Sequence, residues 1–147
     1  MSLLQKEAPV FSLPDSEGSL VSLSDYRGSR VLLVFYPGDD TPVCTKQLCS
    51  YSSGFEEFQG LGVKLLGINM DSVESHKKFK AKYKLPFPLL SDEKGDVCKA
   101  YDAKGLLGTK RATYLIDENG KIIFENVVLP MFFKDKEDII GEIKKIL

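Results

Sequence analysis

The chain has 147 residues, with 20 Lys plus Arg against 21 Asp plus Glu, a net charge of -1, three cysteines and a single histidine. A length near 150 residues matches one ordinary domain, here residues 1–147, that buries roughly 70% of the surface its unfolded chain exposes, so no disulfide staple is needed. The charge balance leaves no excess positive field for a phosphate backbone, which argues against nucleic acid as a partner. No run approaches the eighteen or so apolar residues of a membrane span, and the start, MSLLQKEAPVFSL, lacks a basic stretch followed by an apolar core, so a cytoplasmic location without membrane contact is expected. Cys44, Cys49 and Cys98 are odd in number and unevenly spaced, a poor disulfide framework but one compatible with reduced or reactive thiols. One histidine excludes the common two-histidine metal sites.

In chain order, Val10–Leu13 and Leu20–Leu23 alternate in polarity around Pro14-Asp15-Ser16-Glu17-Gly18 and predict a small β-hairpin. The continuous apolar run Val31–Tyr36 predicts a strand covered on both faces and ended by Pro37-Gly38. A helix is expected from Pro42 to about Phe58, then a second buried strand from Val63 to Met70, together a right-handed βαβ unit. Asp71, with Glu74 three residues on, reads as the cap of a helix running to about Tyr83. Leu85-Pro86-Phe87-Pro88 breaks it, and a shorter helix follows at Asp96–Tyr101. Strands Ala112–Ile116 and Lys121–Val128, joined by Asp117-Glu118-Asn119-Gly120, form an antiparallel hairpin. A last helix puts Ile139, Ile140, Ile143, Ile146 and Leu147 on one face. This order predicts an α/β, thioredoxin-like fold, with a central mixed β-sheet flanked by helices and an N-terminal β-hairpin.

The segment Tyr36-Pro37-Gly38-Asp39-Asp40-Thr41-Pro42-Val43-Cys44 carries the most chemistry. Proline is favoured at the first helical position and threonine is a good N-cap, so Thr41 is expected to cap and Cys44 to fall in the first turn. Unpaired N–H groups and the positive end of the helix dipole favour an anion there. Cys44 is therefore a candidate thiolate nucleophile at the carboxyl end of a buried strand; a small buried hydrophobe is the plain alternative.

Pro37, Thr41 and Cys44 reproduce the Pro-x-x-x-Thr-x-x-Cys signature of the peroxiredoxins, and Thr45-Lys46-Gln47-Leu48-Cys49 resembles the Q-type branch, the bacterioferritin comigratory proteins. The resemblance runs from Ala8-Pro9-Val10-Phe11 to Arg111-Ala112-Thr113-Tyr114-Leu115-Ile116-Asp117. It implies a thiol peroxidase acting on hydrogen peroxide and organic hydroperoxides in oxidant defence. Cys44 would attack the terminal peroxide oxygen and become a sulfenic acid. Thr41 would hydrogen-bond thiolate and peroxide, Pro37 would shield the sulfenic acid, and the Val43 and Cys44 backbone amides would hold the peroxide oxygens. Arg111 would stabilise the thiolate and the charge developing on the leaving oxygen. The resemblance implies no cofactor and no metal, a thioredoxin or glutaredoxin as reductant, and a monomer in preference to a dimer. Three positions depart from the branch: Val43 stands where glycine is frequent, Gln47 where an acid is frequent, and Val128–Phe133 lacks a histidine often found there. Met131-Phe132-Phe133 could line the pocket, cover a partner surface or pack in the core.

In that branch a second cysteine commonly lies five residues after the first, which makes Cys49 the expected resolving cysteine. Helical positions five apart lie about 140° apart with Cα atoms roughly 8.6 Å from each other. Disulfides rarely bridge more than about 7 Å, so a Cys44–Cys49 bond requires the first helical turns to unwind. Ser50, Ser52, Ser53 and Gly54 are weak helix formers that keep this cheap. A structural thiol is the plain alternative for Cys49, with Cys98 then the competing resolving cysteine; otherwise Cys98 reads as packing, and His76 as a solvated helix residue. Three other readings stay open: a thioredoxin-type disulfide oxidoreductase, against which Cys-x4-Cys argues; a zinc module of Cys44, Cys49, Cys98 and His76; and a peroxide-sensing relay.

Overall fold

The protein is described by a computed structural model covering residues 2–106 and 108–147. Two short strands, β1 (Ser12–Pro14) and β2 (Leu20–Ser22), pair antiparallel as the expected hairpin, followed by a 3-10 turn at Leu23–Tyr26. Then come β3 (Arg30–Phe35), α1 (Pro42–Ser53), α2 (Phe55–Gly60), β4 (Val63–Asn69), α3 (Val73–Tyr83), β5 (Leu89–Ser91) and α4 (Asp96–Ala100). A minimal hairpin, β6 (Lys104–Gly105) with β7 (Gly108–Thr109), leads to β8 (Arg111–Ile116), β9 (Ile122–Val128) and α5 (Lys136–Ile146).

The central five-stranded sheet has the order β5-β4-β3-β8-β9. β3 pairs parallel with β4 and antiparallel with β8, which makes the sheet mixed. Because β3 lies inside the sheet, alternate residues fill opposite cores, which explains its unbroken apolar run. Val31, Leu33 and Phe35 pack with Phe11, Leu13, Cys98, Tyr101 and Tyr114. Leu32, Val34 and Tyr36 pack with residues of α1, α2, α3 and α5, among them Leu48, Phe58, Phe79 and Ile143. On α1 the buried set is Cys44, Gln47, Leu48 and Tyr51, one helical face at i, i+3, i+4 and i+7.

Several local readings change. The helix expected to run to Phe58 breaks at Gly54, where α1 gives way to α2. Asp71 is not the cap of α3; Ser72 is, accepting from the Ser75 N–H at 3.1 Å, while the Asp71 carboxylate turns toward the β3–α1 loop. β5 is an addition, held on Gly67, Ile68 and Asn69 of β4. On α5, Ile139, Ile140 and Ile143 are buried, whereas Ile146 and Leu147 at the end of the helix are exposed. The Asp117–Gly120 turn forms as expected, with Gly120 at φ 88° and the Asp117 carboxylate accepting from the Asn119 and Lys121 N–H groups.

Candidate active site

Sheet register builds the site. β8 runs antiparallel to β3 with Phe35 opposite Ala112, so Arg111, one residue earlier, lies beside the point where β3 hands over to the loop leading into α1. Arg111 is also the cross-strand partner of Val128, which brings the chain just beyond β9 over the same spot. Arg111 is 2% exposed, and each of its three guanidinium nitrogens donates to a partner. Nη2 donates to Cys44 Sγ at 3.1 Å, Nη1 to Gln47 Oε1 at 2.5 Å, and Nε to the Pro130 carbonyl at 2.9 Å. Gln47 in turn donates from Nε2 to the Tyr51 hydroxyl (3.1 Å), which donates to the Lys134 carbonyl (2.7 Å). Burial pushes the Tyr51 phenol up to about 12, against the lowering effects of Gln47 and Arg111, so it remains a neutral donor.

Cys44 lies in the first turn of α1, 1% exposed, with its sulfur under the Arg111 cation. The first helical hydrogen bond runs from the Thr45 N–H to the Thr41 carbonyl (2.8 Å), so the Val43 and Cys44 N–H groups precede it and have no acceptor within the helix. Thr41 occupies the N-cap position with extended backbone, but its side chain does not cap; the hydroxyl donates back to the Gly38 carbonyl at 3.0 Å. With its one proton committed there, the Thr41 oxygen is left as an acceptor. Pro37 is half-buried at the end of β3. Pro37, Thr41, Val43 and Cys44 thus share one short segment, and Arg111 closes over its cysteine from β8.

The other two cysteines diverge from this point. Cys49 is partly buried on α1, and burial raises its thiol above the ordinary range. Cys98 is fully buried on the opposite face of the sheet; burial pushes its thiol up to about 12, with Thr109 opposing and Asp92 reinforcing the shift. The sheet therefore separates Cys98 from Cys44, and the four proposed zinc ligands are not brought together. Among the described residues no cluster of three or more His, Cys, Asp or Glu converges on a common point.

His76 is the largest correction. It is 0% exposed, with Nδ1 2.7 Å from Asp39 Oδ2 and Nε2 2.9 Å from the Leu90 carbonyl. Gln47 was legible as a neighbour of Cys44, since three residues along a helix is the same face. Asp39 with His76 was not, because nothing local links residues 37 positions apart.

A βαβ unit, an antiparallel strand pair and a helix-start cysteine at the carboxyl end of the central strand define a thiol protein of thioredoxin-like fold. The AhpC/TSA family profile matches residues 4–125. The chain is 46% identical over 125 residues to the peroxiredoxin bcp of Coxiella burnetii, covering 80% of this chain and 83% of that protein. It is 46% identical over 145 residues to the chloroplastic peroxiredoxin Q of Oryza sativa subsp. japonica, covering 95% of this chain and 64% of the rice protein. Peroxidoxin BcpB of Mycobacterium tuberculosis superposes with a TM-score of 0.89 at 31% identity, over 100% of this chain and 99% of that one. The chain belongs to the AhpC/TSA family of peroxiredoxins, in the branch of peroxiredoxin Q and bcp. That family is one of thiol peroxidases serving oxidant defence. Among the described residues no helix is long and apolar enough to cross a membrane.

Proposed function

We propose that the chain reduces hydrogen peroxide and organic hydroperoxides by a two-cysteine cycle within one polypeptide. The observation that carries the reading is the buried contact of Arg111 Nη2 with Cys44 Sγ at 3.1 Å. A fixed cation on the sulfur favours its anionic, nucleophilic form and lies where negative charge develops on the departing oxygen. In the first step the Cys44 thiolate attacks the terminal peroxide oxygen. An S–O bond forms, the O–O bond breaks, sulfur is oxidised by two electrons, and hydroxide or alkoxide leaves and takes up a proton as water or alcohol. The Val43 and Cys44 N–H groups, without acceptors in the helix, donate to the peroxide oxygens, and the Thr41 hydroxyl oxygen accepts a hydrogen bond from the peroxide O–H, whose proton stays on the oxygen transferred to sulfur. Pro37 screens the sulfenic acid from water.

In the second step the Cys49 sulfur attacks the sulfenic sulfur, forming the disulfide and releasing water. Helical geometry keeps the two Cα atoms roughly 8.6 Å apart, so α1 unwinds for this step. A thioredoxin-like dithiol, thioredoxin or glutaredoxin, then reduces the disulfide. Both thiols belong to one chain, so a monomer suffices for the cycle, and a single-domain protein of the cytoplasm completes the proposal; the rice relative is named chloroplastic.

The test is peroxide consumption with a thioredoxin system for wild type, Cys44→Ser, Cys49→Ser and Cys98→Ser. Turnover is expected to vanish in Cys44→Ser and to persist in Cys98→Ser. Activity surviving in Cys44→Ser, or a Cys44–Cys98 linkage in mass spectra of peroxide-treated protein, overturns the reading.

A further inference from the structure

The loop between β3 and α1 carries Pro37 and Thr41, and it is not held by the sheet. Asp40 in it has a φ of 56°, a left-handed conformation that costs a non-glycine residue energy, so the loop needs outside fastening. At the surface Asp40 accepts from Lys82 Nζ (2.8 Å) and the Tyr83 hydroxyl (2.9 Å), and the buried fastening is Asp39. Its backbone N–H donates to Asp71 Oδ2 (2.8 Å). Its Oδ1 accepts from the Tyr36 hydroxyl at 2.6 Å and from Asn69 Nδ2 at 3.4 Å. Its Oδ2 accepts from the Ser75 hydroxyl and faces His76 Nδ1, both at 2.7 Å.

Counting protons gives the state of the pair. The Leu90 carbonyl only accepts, so His76 Nε2 must carry a hydrogen. Tyr36, Ser75 and Asn69 all present donors to Asp39, an environment that suits a carboxylate over a carboxylic acid, and His76 Nδ1 is the one group within reach of Asp39 Oδ2 able to take its proton. His76 Nδ1 then also carries a hydrogen, and the buried ring is an imidazolium. Burial alone would raise the Asp39 carboxyl, but His76, with Tyr36 and Ser75, outweighs it and holds the group below its ordinary range. The other charges around the adjoining cavity are Glu74, Lys78 and the Lys82–Asp40 ion pair, all at its rim.

A buried ion pair of this kind is poor evidence for stability, because desolvation offsets its attraction. Its position argues for a different role. We propose that Asp39 and His76 are a positioning pair for Cys44 chemistry: an imidazolium–carboxylate latch that fastens the Pro37–Thr41 loop to α3 and β5 and so sets where the peroxide meets the sulfur. The proposal rests on the peroxidase reading of Cys44. Neither residue touches the reacting atoms; the path runs from His76 to Asp39, through the loop backbone to the Thr41–Gly38 hydrogen bond, and on to the first turn of α1.

The chain has one histidine, so its ring can be read directly by nitrogen-15 NMR. Two protonated ring nitrogens at pH 7 are expected in wild type, and a neutral ring overturns the latch whatever the enzyme assay shows. The rate constant of Cys44 with hydrogen peroxide, measured by competition with a haem peroxidase, is expected to fall about tenfold or more in Asp39→Ala and His76→Leu, the order of loss that follows from small misplacement of reacting groups. Asp39→Ala alters a loop residue and decides the matter if His76→Leu does not fold. In Asp39→Asn the amide donates to a neutral Nδ1 and remakes the bond without the extra proton, so the rate returns to within about threefold of wild type. An unchanged rate in Asp39→Ala, or Asp39→Asn as slow as Asp39→Ala, overturns the proposal. Failure of wild type to consume peroxide defeats the peroxidase reading instead and leaves the NMR result standing.

Discussion

Replacing Arg111 by Lys keeps the charge and removes the fork. The guanidinium serves three acceptors lying in different directions: Cys44 Sγ, Gln47 Oε1 and the Pro130 carbonyl. An ammonium is a point donor on a flexible stem and does not reproduce that planar spread. If it stays with the sulfur, the Gln47 and Pro130 oxygens lose their arginine partner in a site where Arg111 is 2% exposed. Each buried acceptor left without a donor costs about 1–3 kcal/mol, so folding stability is expected to drop by about 2–6 kcal/mol. For the chemistry, misplacing one donor aimed at a developing oxyanion costs about 100-fold or more in rate. The peroxide rate constant of Arg111→Lys is therefore expected to fall about 100-fold at a temperature where urea melts show the variant fully folded. A variant that retains the wild-type rate within about threefold while folded refutes the idea that the cation's placement matters.

Cys49→Ser is expected to oxidise once and stop, accumulating Cys44 sulfenic acid that dimedone traps; full turnover with thioredoxin in this variant would remove Cys49 from the cycle. Cys98, with its thiol pushed to about 12, is expected to resist iodoacetamide at pH 8 in the native protein and to react only after unfolding, as peptide mass spectra will show. The Asp39 carboxyl is lowered by folding, so its contribution to stability is present above the ordinary aspartate range and is lost as pH falls through the folded value. Asp39→Asn should accordingly be less stable than wild type at pH 7 and converge with it below about pH 4; a gap that does not change with pH would contradict the assignment. Tyr51→Phe removes the hydrogen bond to the Lys134 carbonyl, worth about 1 kcal/mol, and is expected to speed disulfide formation roughly fivefold in quench-flow experiments.

Elements whose burial pattern is local were legible in the sequence. The run Val31–Phe35, the 3.6-residue rhythm of Ile139, Ile140 and Ile143, and the Asp117–Gly120 turn each declare their environment within a few residues. What escaped depends on distant partners. β5 is three residues long just after Pro86 and Pro88, and only the ready-made edge of β4 makes it a strand. The α1–α2 break at Gly54 was hidden because Phe55 and Phe58 continue the apolar rhythm past it. Within the site, Cys44 could be read from its place at a helix start, and Pro37, Thr41 and Arg111 were singled out through resemblance. Ser75-His76-Lys77-Lys78 looked like a solvated face because the carboxylate that pairs with His76 lies across the fold. Thr41 was read as a cap from its residue type, whereas the Gly38 carbonyl competes for its hydroxyl.

The connection between β9 and α5 is fastened around the candidate site in three places: the Pro130 carbonyl to Arg111 of β8, the Lys134 carbonyl to Tyr51 of α1 and, where α5 begins, the Lys136 N–H to the Ser50 hydroxyl of α1 at 2.9 Å. In the proposed cycle a fresh sulfenic acid faces a race between Cys49, which must wait for α1 to open, and a second peroxide, which would carry the sulfur on to an irreversible sulfinic acid. Those ties lengthen the wait. The peroxide concentration at which the protein burns itself out is then written partly in residues 130–136, a stretch that takes no part in the reaction and whose changes would tune endurance separately from speed.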